Sequence, residues 1–333
     1  MRSLTAVDGR RSGAQGRARG PVARAAVIAA VAACAAVASS PAIAQAASNA
    51  TVTTGPAKEV GDATAVLTGA VNPNGSDTSY YFQYGPTRTY GLQSTIVGAG
   101  AGTRAVPVRL TVSGLAPITQ YHYRLVAVNG AGAAAGKDQA FLTKKVPLSL
   151  GILTSPNPVL FGGTVLIQGT LAGTGNAGQP VVLQANAFPF TAGFQNVGNA
   201  ELTSATGTFS FAVPAMSVVT QFRVRTVAKA VLSLVATESV AVRVSSHIGH
   251  ARRRHFARFY GTVVPAEDGA HIAILRIVHG HNVLVAGTTL RHRNATSSQF
   301  SRTVRVRAGV YHVLVVVTSG AQTSNYGPRL KIG

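Results

Sequence analysis

Short apolar runs with a period of two most constrain what this 333-residue chain can fold into. Beyond about residue 47, Val, Thr, Tyr and Phe alternate with other residues over a few positions, and Gly, Pro, Asn or Ser ends each run. Val313, Val315 and Val317 are one example. Side chains two positions apart lie on one face of a strand, and no long segment has the periodicity of a helix. The sequence therefore predicts an all-β protein.

Length and composition predict two or three folded domains. Single cores usually serve about 100 to 150 residues, so a chain of this length is expected to divide. Hydrophobic residues make up 46% of the chain and charged residues 12%, which is unlike the composition of a disordered chain.

The first 46 residues have the features of a secretory signal peptide. Six arginines precede or border an apolar stretch at 25–37, and the small-residue motifs Ala-Ile-Ala and Ala-Gln-Ala overlap at 42–46. A basic flank, a short apolar region and such a motif together direct export and cleavage. We expect cleavage after Ala44 or Ala46, which leaves a secreted or cell-envelope protein with no transmembrane segment.

Cys34 offers an alternative to plain secretion. It is the only cysteine and follows Val31-Ala32-Ala33, a context similar to a bacterial lipobox, so lipidation would anchor the protein to the membrane. The apolar run continues past Cys34, and the Ala-x-Ala motifs lie downstream of it. These two observations favour cleavage and secretion, after which the chain has no cysteine and no disulfide.

Two stretches in residues 49–144 carry a resemblance to a known family. In the segment YYFQYGPTRTYG, at 80–91, three aromatic residues alternate onto one face. The segment GLAPITQYHYRLVAVN, at 114–129, contains a Leu-x-Pro-x-Thr-x-Tyr pattern. With these motifs the region resembles a fibronectin type III domain of secreted bacterial proteins. The matching residues are Leu115, Pro117, Thr119 and Tyr121.

The resemblance implies a structural corner and a substitution in the core. In such β-sandwiches the hydroxyl of the corner tyrosine, here Tyr121, bonds to the chain a few residues upstream. The chain has no tryptophan, so we expect Leu67 and Val71 to fill the space of the family's core tryptophan. An Arg-Gly-Asp tripeptide is also absent, so the resemblance gives no support for integrin-type adhesion.

The rest of the chain contains an internal repeat of about 90 residues. Four landmarks recur in the same order, and alternating apolar strands accompany both copies, which resemble bacterial immunoglobulin-like sandwiches. The paired landmarks are Gly169-Thr170-Leu171 with Gly261-Thr262-Val263, Gly178 and Pro180–Leu183 with Gly269 and His271–Ile274, Phe209-Ser210 with Phe300-Ser301, and Phe222-Arg223-Val224 with Tyr311-His312-Val313.

These patterns predict three tandem antiparallel β-sandwich modules after the signal peptide. The predicted division is a signal peptide at 1–46, a fibronectin type III-like module at 49–144, an immunoglobulin-like module at 147–245 and a basic, His-rich immunoglobulin-like module at 246–333. Linkers are expected at 144–147 and 245–254, where the apolar pattern is interrupted.

Positive charge is concentrated in the last module. Residues 246–333 contain 12 Lys or Arg and 2 Asp or Glu. An exposed basic face attracts anionic polymers without a shaped pocket. A GC-rich genome, whose codons favour arginine, is an equally simple explanation of the excess of arginine. The candidate polyanion-binding residues are Arg252, Arg253, Arg254, Arg258, Arg302, Arg305 and Arg307.

The sequence contains no recognisable catalytic, cofactor-binding or metal-binding motif. There is no nucleophile elbow, zinc-protease motif or phosphate-binding glycine loop, and the eight acidic residues after residue 46 are scattered. Eight of nine histidines lie in the last module, and His279 and His281 would share a face of an extended segment, but no third ligand accompanies them. We therefore expect no enzyme, no cofactor and no metal site.

Two functions remain open from the sequence. The first is a noncatalytic secreted or envelope protein with spacer and binding modules, whose partners are anionic wall polymer or polysaccharide and other envelope proteins; nucleic acid is a less favoured partner. The alternative is a carbohydrate-binding accessory of extracellular glycan degradation. Sugar-binding surfaces use exposed aromatic residues, and this chain has 6% aromatics without tryptophan.

Overall fold

The structure is a computed structural model that describes residues 48–333. Its regular elements are β-strands throughout this range, which confirms the all-β prediction. Nearly all strand pairs are antiparallel, and the sheets pack as tandem β-sandwiches. No helix within 48–333 is long and apolar enough to cross a membrane. The predicted signal peptide and Cys34 lie outside the described residues.

The first module consists of a three-stranded sheet, β1-β2-β6, and a six-stranded sheet centred on β3 and β7. In the second sheet, β4 and β5 pair with β3, whereas β8 and β9 pair with β7. The strands are β1 (Thr51–Thr54), β2 (Thr64–Asn72), β3 (Thr78–Gly85), β4 (Leu92–Gln93), β5 (Val97–Gly100), β6 (Val106–Ser113), β7 (Gln120–Asn129), β8 (Gly132–Ala135) and β9 (Gln139–Leu142).

The core of the first module lies between its two sheets. Leu67 and Val71 of β2 are fully buried and belong to the same apolar cluster as Phe82 of β3 and Tyr123 of β7. Alternate residues of β7 face this cluster, as the period of two predicts. Leu67 and Val71 thus contribute two aliphatic side chains to the core of a module that has no tryptophan.

A tyrosine hydroxyl closes the corner before β7. The Ala116 N–H donates to the Tyr121 hydroxyl at 3.0 Å, and the Tyr121 ring stacks on Phe141 at a centroid distance of 5.7 Å. The Thr119 hydroxyl donates to the Pro117 carbonyl at 3.0 Å. Leu115 is buried beside them. These contacts are those expected of a sandwich corner tyrosine.

The second module has one sheet of order β10-β12-β15, one of order β14-β13-β16-β17 and a short parallel pair, β11-β18. An apolar cluster that includes Ile167, Leu183 and Phe222 fills the space between the two larger sheets. The strands are β10 (Ser149–Ser155), β11 (Val159–Leu160), β12 (Gly163–Ala172), β13 (Pro180–Ala187), β14 (Gln195–Leu202), β15 (Thr208–Met216), β16 (Thr220–Thr226), β17 (Ala236–Glu238) and β18 (Val240–Ala241).

The third module has sheets of order β19-β20-β24-β23 and β22-β21-β25-β26, with β27 also paired to β25. Phe259, Ile274 and Val313 are among the buried residues of its core. The strands are β19 (Arg243–His250), β20 (Phe256–Val264), β21 (His271–Val278), β22 (His281–Thr289), β23 (Arg291–Asn294), β24 (Ser297–Arg305), β25 (Gly309–Val316), β26 (Asn325–Tyr326) and β27 (Leu330–Ile332).

The prediction of a linker at 245–254 is wrong. Residues 243–250 form β19 and pair in continuous antiparallel register with 257–264 of β20, so only 251–255 are a turn between two strands. The histidines and small polar residues of β19 interrupt the apolar pattern because β19 is an edge strand, and its alternate side chains face solvent.

Strand register accounts for the sequence repeat. Gly169 pairs with Phe209 across β12 and β15, and Gly261 pairs with Phe300 across β20 and β24. A Cβ at Gly169 would lie 2.3 Å from the Phe209 ring, and a Cβ at Gly261 would lie 2.9 Å from the Phe300 ring. The glycine leaves room for the buried phenylalanine on the neighbouring strand. The other sheet repeats its pairs as well, Leu183 with Val224 and Ile274 with Val313.

Residues 317–325 of the third module bond to the second module. The Val219 N–H donates to Ala321 at 2.7 Å, and the Thr323 N–H donates to Val240 at 2.7 Å. Thr323 also forms a parallel bridge with Ala241, and the Gln322 side chain donates to the Ser217 carbonyl. Main-chain bonds therefore tie these two modules together, in addition to the continuous chain.

Candidate anion-binding surface

One face of the sheet β19-β20-β24-β23 points away from the core of the third module. Along β20, Ala257, Phe259 and Val263 are buried, whereas Arg258 and Tyr260 alternate with them and are exposed. Because alternate residues of a strand face opposite sides of the sheet, Arg258 and Tyr260 lie on the outer face. This outer face is where the polar side chains of the four strands converge.

A cleft of about 390 Å³ crosses this outer face. Gly261 lies in its floor, where an added Cβ would come within 1.9 Å of the Ser245 carbonyl oxygen. We call this depression the polar cleft. It is lined by Ser245, His247, Arg258, Tyr260, Gly261, Thr262, Thr288, Thr289, Arg291, Gln299, Phe300 and Ser301.

The larger side chains of the polar cleft are held by one another. The Arg258 Nε donates to the Ser301 hydroxyl at 2.7 Å, and the guanidinium carbon lies 5.4 Å from the centroid of the Tyr260 ring. The His247 and Tyr260 rings are 5.6 Å apart, and a hydrogen bond of 3.1 Å joins His247 Nε2 to the Ser245 hydroxyl. These contacts reduce the rotamer freedom that a ligand would otherwise have to restrict.

A second depression of about 480 Å³ adjoins the polar cleft. Arg258 lines both, so the two depressions are neighbours on either side of its side chain. We call this depression the arginine end. It is lined by His250, Ala251, Arg252, Arg253, Phe256, Arg258 and Thr303.

The seven arginines predicted to bind polyanions are all exposed but do not form one patch. Arg252, Arg253 and Arg258 line the arginine end, and Arg254 lies in the same turn. Arg305 pairs with Phe256 on β20, which places it on the outer face beside them.

Two of the predicted arginines lie apart from this group. Arg302 pairs with the buried Phe259, so it lies on the opposite side of β24 from Arg305. Arg307 lines a different depression with His250, His255 and Lys331. Val304 and Val306 are buried, and Arg305 and Arg307, which alternate with them, are exposed.

No lysine or arginine of the third module is neutralised by a carboxylate. Among residues 48–333, Arg88 is the only arginine or lysine in an ion pair, and its partner Asp138 is in the first module. In the third module Asp268 pairs with His292 at 2.9 Å. The positive charge of the outer face is therefore available to an external anion.

Sequence reasoning missed His247, Tyr260 and Arg291. Tyr260 and His247 carried no motif, and the short run Arg291-His292-Arg293 was the only signal for the third residue. They share a site because β19, β20, β23 and β24 are neighbours in one sheet, which is a property of strand order and not of sequence spacing.

Polar residues in the first module form a separate cluster around Asp138. Tyr90 and His122 bond to its two oxygens at 3.1 and 2.9 Å. Burial raises the pKa of Asp138, but the hydrogen bonds from His122 and Tyr90 and the charge of Arg88 outweigh it, so the pKa is lowered overall. Asp138 is thus held ionised by its neighbours, which favours a structural role over proton transfer.

The histidines of the third module are dispersed. His279 lies in the turn between β21 and β22 at a φ of 49°, and His281 begins β22. No group of three His, Cys, Asp or Glu side chains suited to a metal ion occurs within residues 48–333.

Comparison with known proteins gives no family for this chain. No family model matches the sequence, and no curated protein matches it.

Solved structures with similar folds match only weakly. The FN1–FN3 domains of chicken CNTN1 have a TM-score of 0.29 and 14% identity, over 85% of this chain and 96% of that chain. A tetra-tandem repeat in the extending region of a large adhesion protein has the same TM-score and identity, over 85% of this chain and 74% of that chain. The sensor domain of the anti-sigma factor RsgI4 in Pseudobacteroides cellulosolvens has a TM-score of 0.21 and 18% identity, over 28% and 89%. The β-sandwich assignment accordingly rests on the sheets and cores described above.

Proposed function

We propose that this chain is a noncatalytic exported protein whose β-sandwich modules separate and present a basic surface that binds anionic polymers. One observation carries the proposal: Arg252 and Arg253 of the turn before β20 line one depression with Arg258, Arg305 pairs with Phe256 of that lining, and none of the four has a carboxylate partner within residues 48–333. Arginine binds carboxylate and phosphate groups strongly, and an unneutralised cluster raises the local concentration of polyanions. Wall polymer or acidic polysaccharide of the cell envelope is the proposed partner.

The charge distribution supports a role for the third module in particular. Residues 147–245 contain 4 Lys or Arg and 2 Asp or Glu, whereas residues 246–333 contain 12 and 2. If genome composition alone supplied the arginines, both copies of the repeat would be similarly basic. The difference between two copies of one fold favours selection for binding.

Export is part of the proposal and has its own test. The basic flank, the apolar stretch and the Ala-x-Ala motifs support cleavage by a signal peptidase. Intact mass of the protein from the culture or envelope fraction should correspond to a chain that begins at Gln45 or Ala47. A diacylglyceryl-modified chain that begins at Cys34 would establish a lipoprotein instead.

Binding is tested with the exported chain and a variant that lacks three charges of the arginine end. Changing Arg252, Arg253 and Arg305 to Ser should weaken retention on an anionic polysaccharide column. Retention of the unmodified protein should fall steeply with salt, because bound counterions are released on association and the screening length is about 8 Å near physiological ionic strength.

The matched control removes three charges from exposed positions of the first module, Arg104, Arg109 and Lys137, each also changed to Ser. Both variants have the same net charge, so only position differs. Equal retention of the two variants, or retention that salt does not change, would exclude the arginine end as the binding surface.

A carbohydrate-binding accessory role is the second candidate, and the polar cleft favours it. Tyr260 is 40% exposed and lies beside His247, so the third module does present an aromatic surface. Retention on uncharged polysaccharide that resists high salt would favour this role over binding of polyanions.

A further inference from the structure

We propose that the polar cleft binds one sugar unit of an acidic polysaccharide, that is, a pyranose ring that carries a carboxylate or a phosphate. This inference rests on the proposed binding of anionic polymers and names the chemical group that is recognised. It differs in one respect that can be measured: recognition would depend on the sugar ring as well as on charge.

An aromatic surface of suitable size lies in the polar cleft. Tyr260 is exposed, and the His247 ring lies 5.6 Å from it at an interplanar angle of 34°. The C–H groups on one face of a pyranose carry slight positive charge, whereas the face of an aromatic ring is negative. The Tyr260 ring therefore offers a sugar ring a contact that a flexible chain of simple anions would not use.

Two guanidinium groups lie in the same cleft. Arg258 and Arg291 both line it, and neither forms an ion pair with a carboxylate within residues 48–333. Arg258 is oriented through its Nε by Ser301, so its terminal nitrogens remain able to donate to an anion. The site thus combines an aromatic face with two cations.

Hydroxyl and amide side chains surround these groups and favour a sugar over a nucleic acid. Single-stranded nucleic acid is usually bound on a row of exposed aromatic rings that stack successive bases, whereas the polar cleft has one exposed pair, Tyr260 with His247, and its third ring, Phe300, is buried. Short polar side chains suit the alternating donors and acceptors of sugar hydroxyls. Those that line the cleft are Ser245, Thr262, Thr288, Thr289, Gln299 and Ser301.

The arginine end lies next to the polar cleft, where a longer ligand would place its neighbouring units. Arg258 belongs to both depressions, so a polymer whose ring occupies the polar cleft can extend its next charges toward Arg252 and Arg253. The polar cleft would supply recognition of the unit, and the arginine end would supply charge attraction that does not distinguish one polyanion from another.

The experiment compares polymers that carry a sugar ring, a charge or both. Binding of the exported chain to each is measured at low salt by calorimetry or interferometry. Polygalacturonate and phosphorylated dextran carry a ring and an anion, polyglutamate carries a carboxylate without a ring, and dextran carries a ring without charge. Changing Tyr260 to Ala should weaken binding of polygalacturonate or phosphorylated dextran about tenfold, the scale of a central aromatic contact, and leave polyglutamate binding unchanged.

Two variants act as controls. Tyr260→Phe retains the ring and should retain binding. Tyr326→Ala removes a tyrosine that is similarly exposed and stacks on His312 at 4.6 Å, but lies in the other sheet, so it should bind as the unmodified protein does. Thermal unfolding of each variant establishes that the module remains folded.

The outcomes separate this inference from the proposed function. Equal loss of polygalacturonate and polyglutamate binding in Tyr260→Ala, or no loss of either, would overturn recognition of a sugar while leaving polyanion binding intact. Absence of salt-sensitive binding to any of these polymers would overturn both. If oligothymidylate binds more tightly than either acidic polysaccharide and this binding depends on Tyr260, the cleft is a nucleic-acid site. If the inference holds, the preference between polygalacturonate and phosphorylated dextran identifies the anion as carboxylate or phosphate.

Discussion

The second and third modules share the pairs β10-β12-β15 and β19-β20-β24 but have different surfaces at the same place. A depression lies over the glycine–phenylalanine pair in each, beside Gly169 and Phe209 in one and Gly261 and Phe300 in the other. In the second module Leu153 pairs with Gln168 at its side, and in the third His247 pairs with Tyr260 at the corresponding position. The glycine–phenylalanine pair is the same in both copies, whereas the outer residues differ.

The third module also has one more strand in this sheet. β23 pairs with β24 and brings Arg291 to the polar cleft, whereas the corresponding sheet of the second module has the order β10-β12-β15. Leu153, which is 79% exposed, lies at the apolar depression of the second module. The fold therefore supplies a shallow groove in both modules, and a few outer residues and one edge strand determine its chemistry.

The largest effect is expected when the shared glycine is replaced. Gly261→Ala places a Cβ 1.9 Å from a backbone oxygen, which only a main-chain shift can relieve, so we expect a loss of about 3 kcal/mol or more in the third module. Gly169→Ala should cost less, because the backbone oxygen that its Cβ would meet, that of Gly151, lies at 2.6 Å and not at 1.9 Å, although the Phe209 ring at 2.3 Å must also shift.

Calorimetry combined with hydrogen exchange on the whole chain locates each loss in its module. Gly151→Ala and Gly287→Ala are matched controls, since an added Cβ meets nothing within 4 Å at Gly151 and only a 3.6 Å contact at Gly287. A loss as large in these controls would refute the glycine–phenylalanine explanation of the repeat.

Removing the Tyr311 hydroxyl should have the next largest effect on stability. It should also distinguish the third module from the second, which has no hydroxyl at this position. The Tyr311 hydroxyl accepts from the Arg307 N–H at 3.0 Å and donates to the Arg307 carbonyl at 2.8 Å, and Tyr311 is buried. Tyr311→Phe should destabilise the third module by about 1 to 3 kcal/mol. Tyr121→Phe should have a similar effect in the first module through the lost bond from Ala116.

The second module has Phe222 at the position of Tyr311 and therefore has no such hydroxyl. Phe222→Tyr tests whether the corner can be transferred: because Phe222 is buried and its module was packed without the hydroxyl, we expect destabilisation. Unchanged unfolding of Tyr121→Phe and Tyr311→Phe would show that the corner bonds contribute nothing to stability.

Exchanging the cleft residues should alter binding while the fold persists. His247→Leu, Arg258→Leu and Tyr260→Gln together give the third module the outer residues of the second, and affinity for polygalacturonate should fall at least about tenfold. The reverse change, Leu153→His, Leu166→Arg and Gln168→Tyr, should restore only part of that affinity in the second module because no strand there corresponds to β23. Full affinity in the reverse variant would show that β23 and Arg291 are dispensable.

The smallest effect on stability is expected from Glu238, a buried carboxyl of the second module that has no counterpart in the third. Glu238 of β17 is buried and pairs with Thr220, whereas Ile332 pairs with Gly309 at the corresponding position of the third module. Burial raises the pKa of Glu238, and the hydrogen bonds from Thr154 and the Val159 N–H lower it by less. The folded state therefore retains this proton at a pH where the unfolded chain has lost it.

Stability of the second module should consequently be highest below the unfolded pKa of Glu238, about 4.3, and should be lost as pH rises through the higher pKa of the folded state. Glu238→Gln should remove that part of the pH dependence. Unfolding followed at several pH values decides this, and an identical pH profile in the variant would contradict it.

The sequence predicted the sandwich modules because a buried face leaves a strong record in the chain. Tyr121, Tyr123 and Leu125 alternate inward, and the repeat landmarks are core residues or glycines that the pairing requires. The site could be predicted only in part. Charge alone indicated Arg252, Arg253 and Arg258, whereas Tyr260 and Arg291 depend on which strands are neighbours. The linker was mispredicted because the first strand of a sheet buries few residues and so carries a weak apolar pattern.

The bonds between residues 317–325 and the second module have a mechanical consequence. Ala321 and Thr323 each form main-chain hydrogen bonds to the second module, so a force applied to the third module is carried by these bonds as well as by the covalent junction near Val242. Between the first and second modules, Lys144 bonds to Gly61 and Val146 bonds to Thr174, which leaves a single residue, Lys145, between the two anchors. The second and third modules are thus joined by main-chain bonds beyond the covalent chain, whereas the first and second are joined on either side of Lys145.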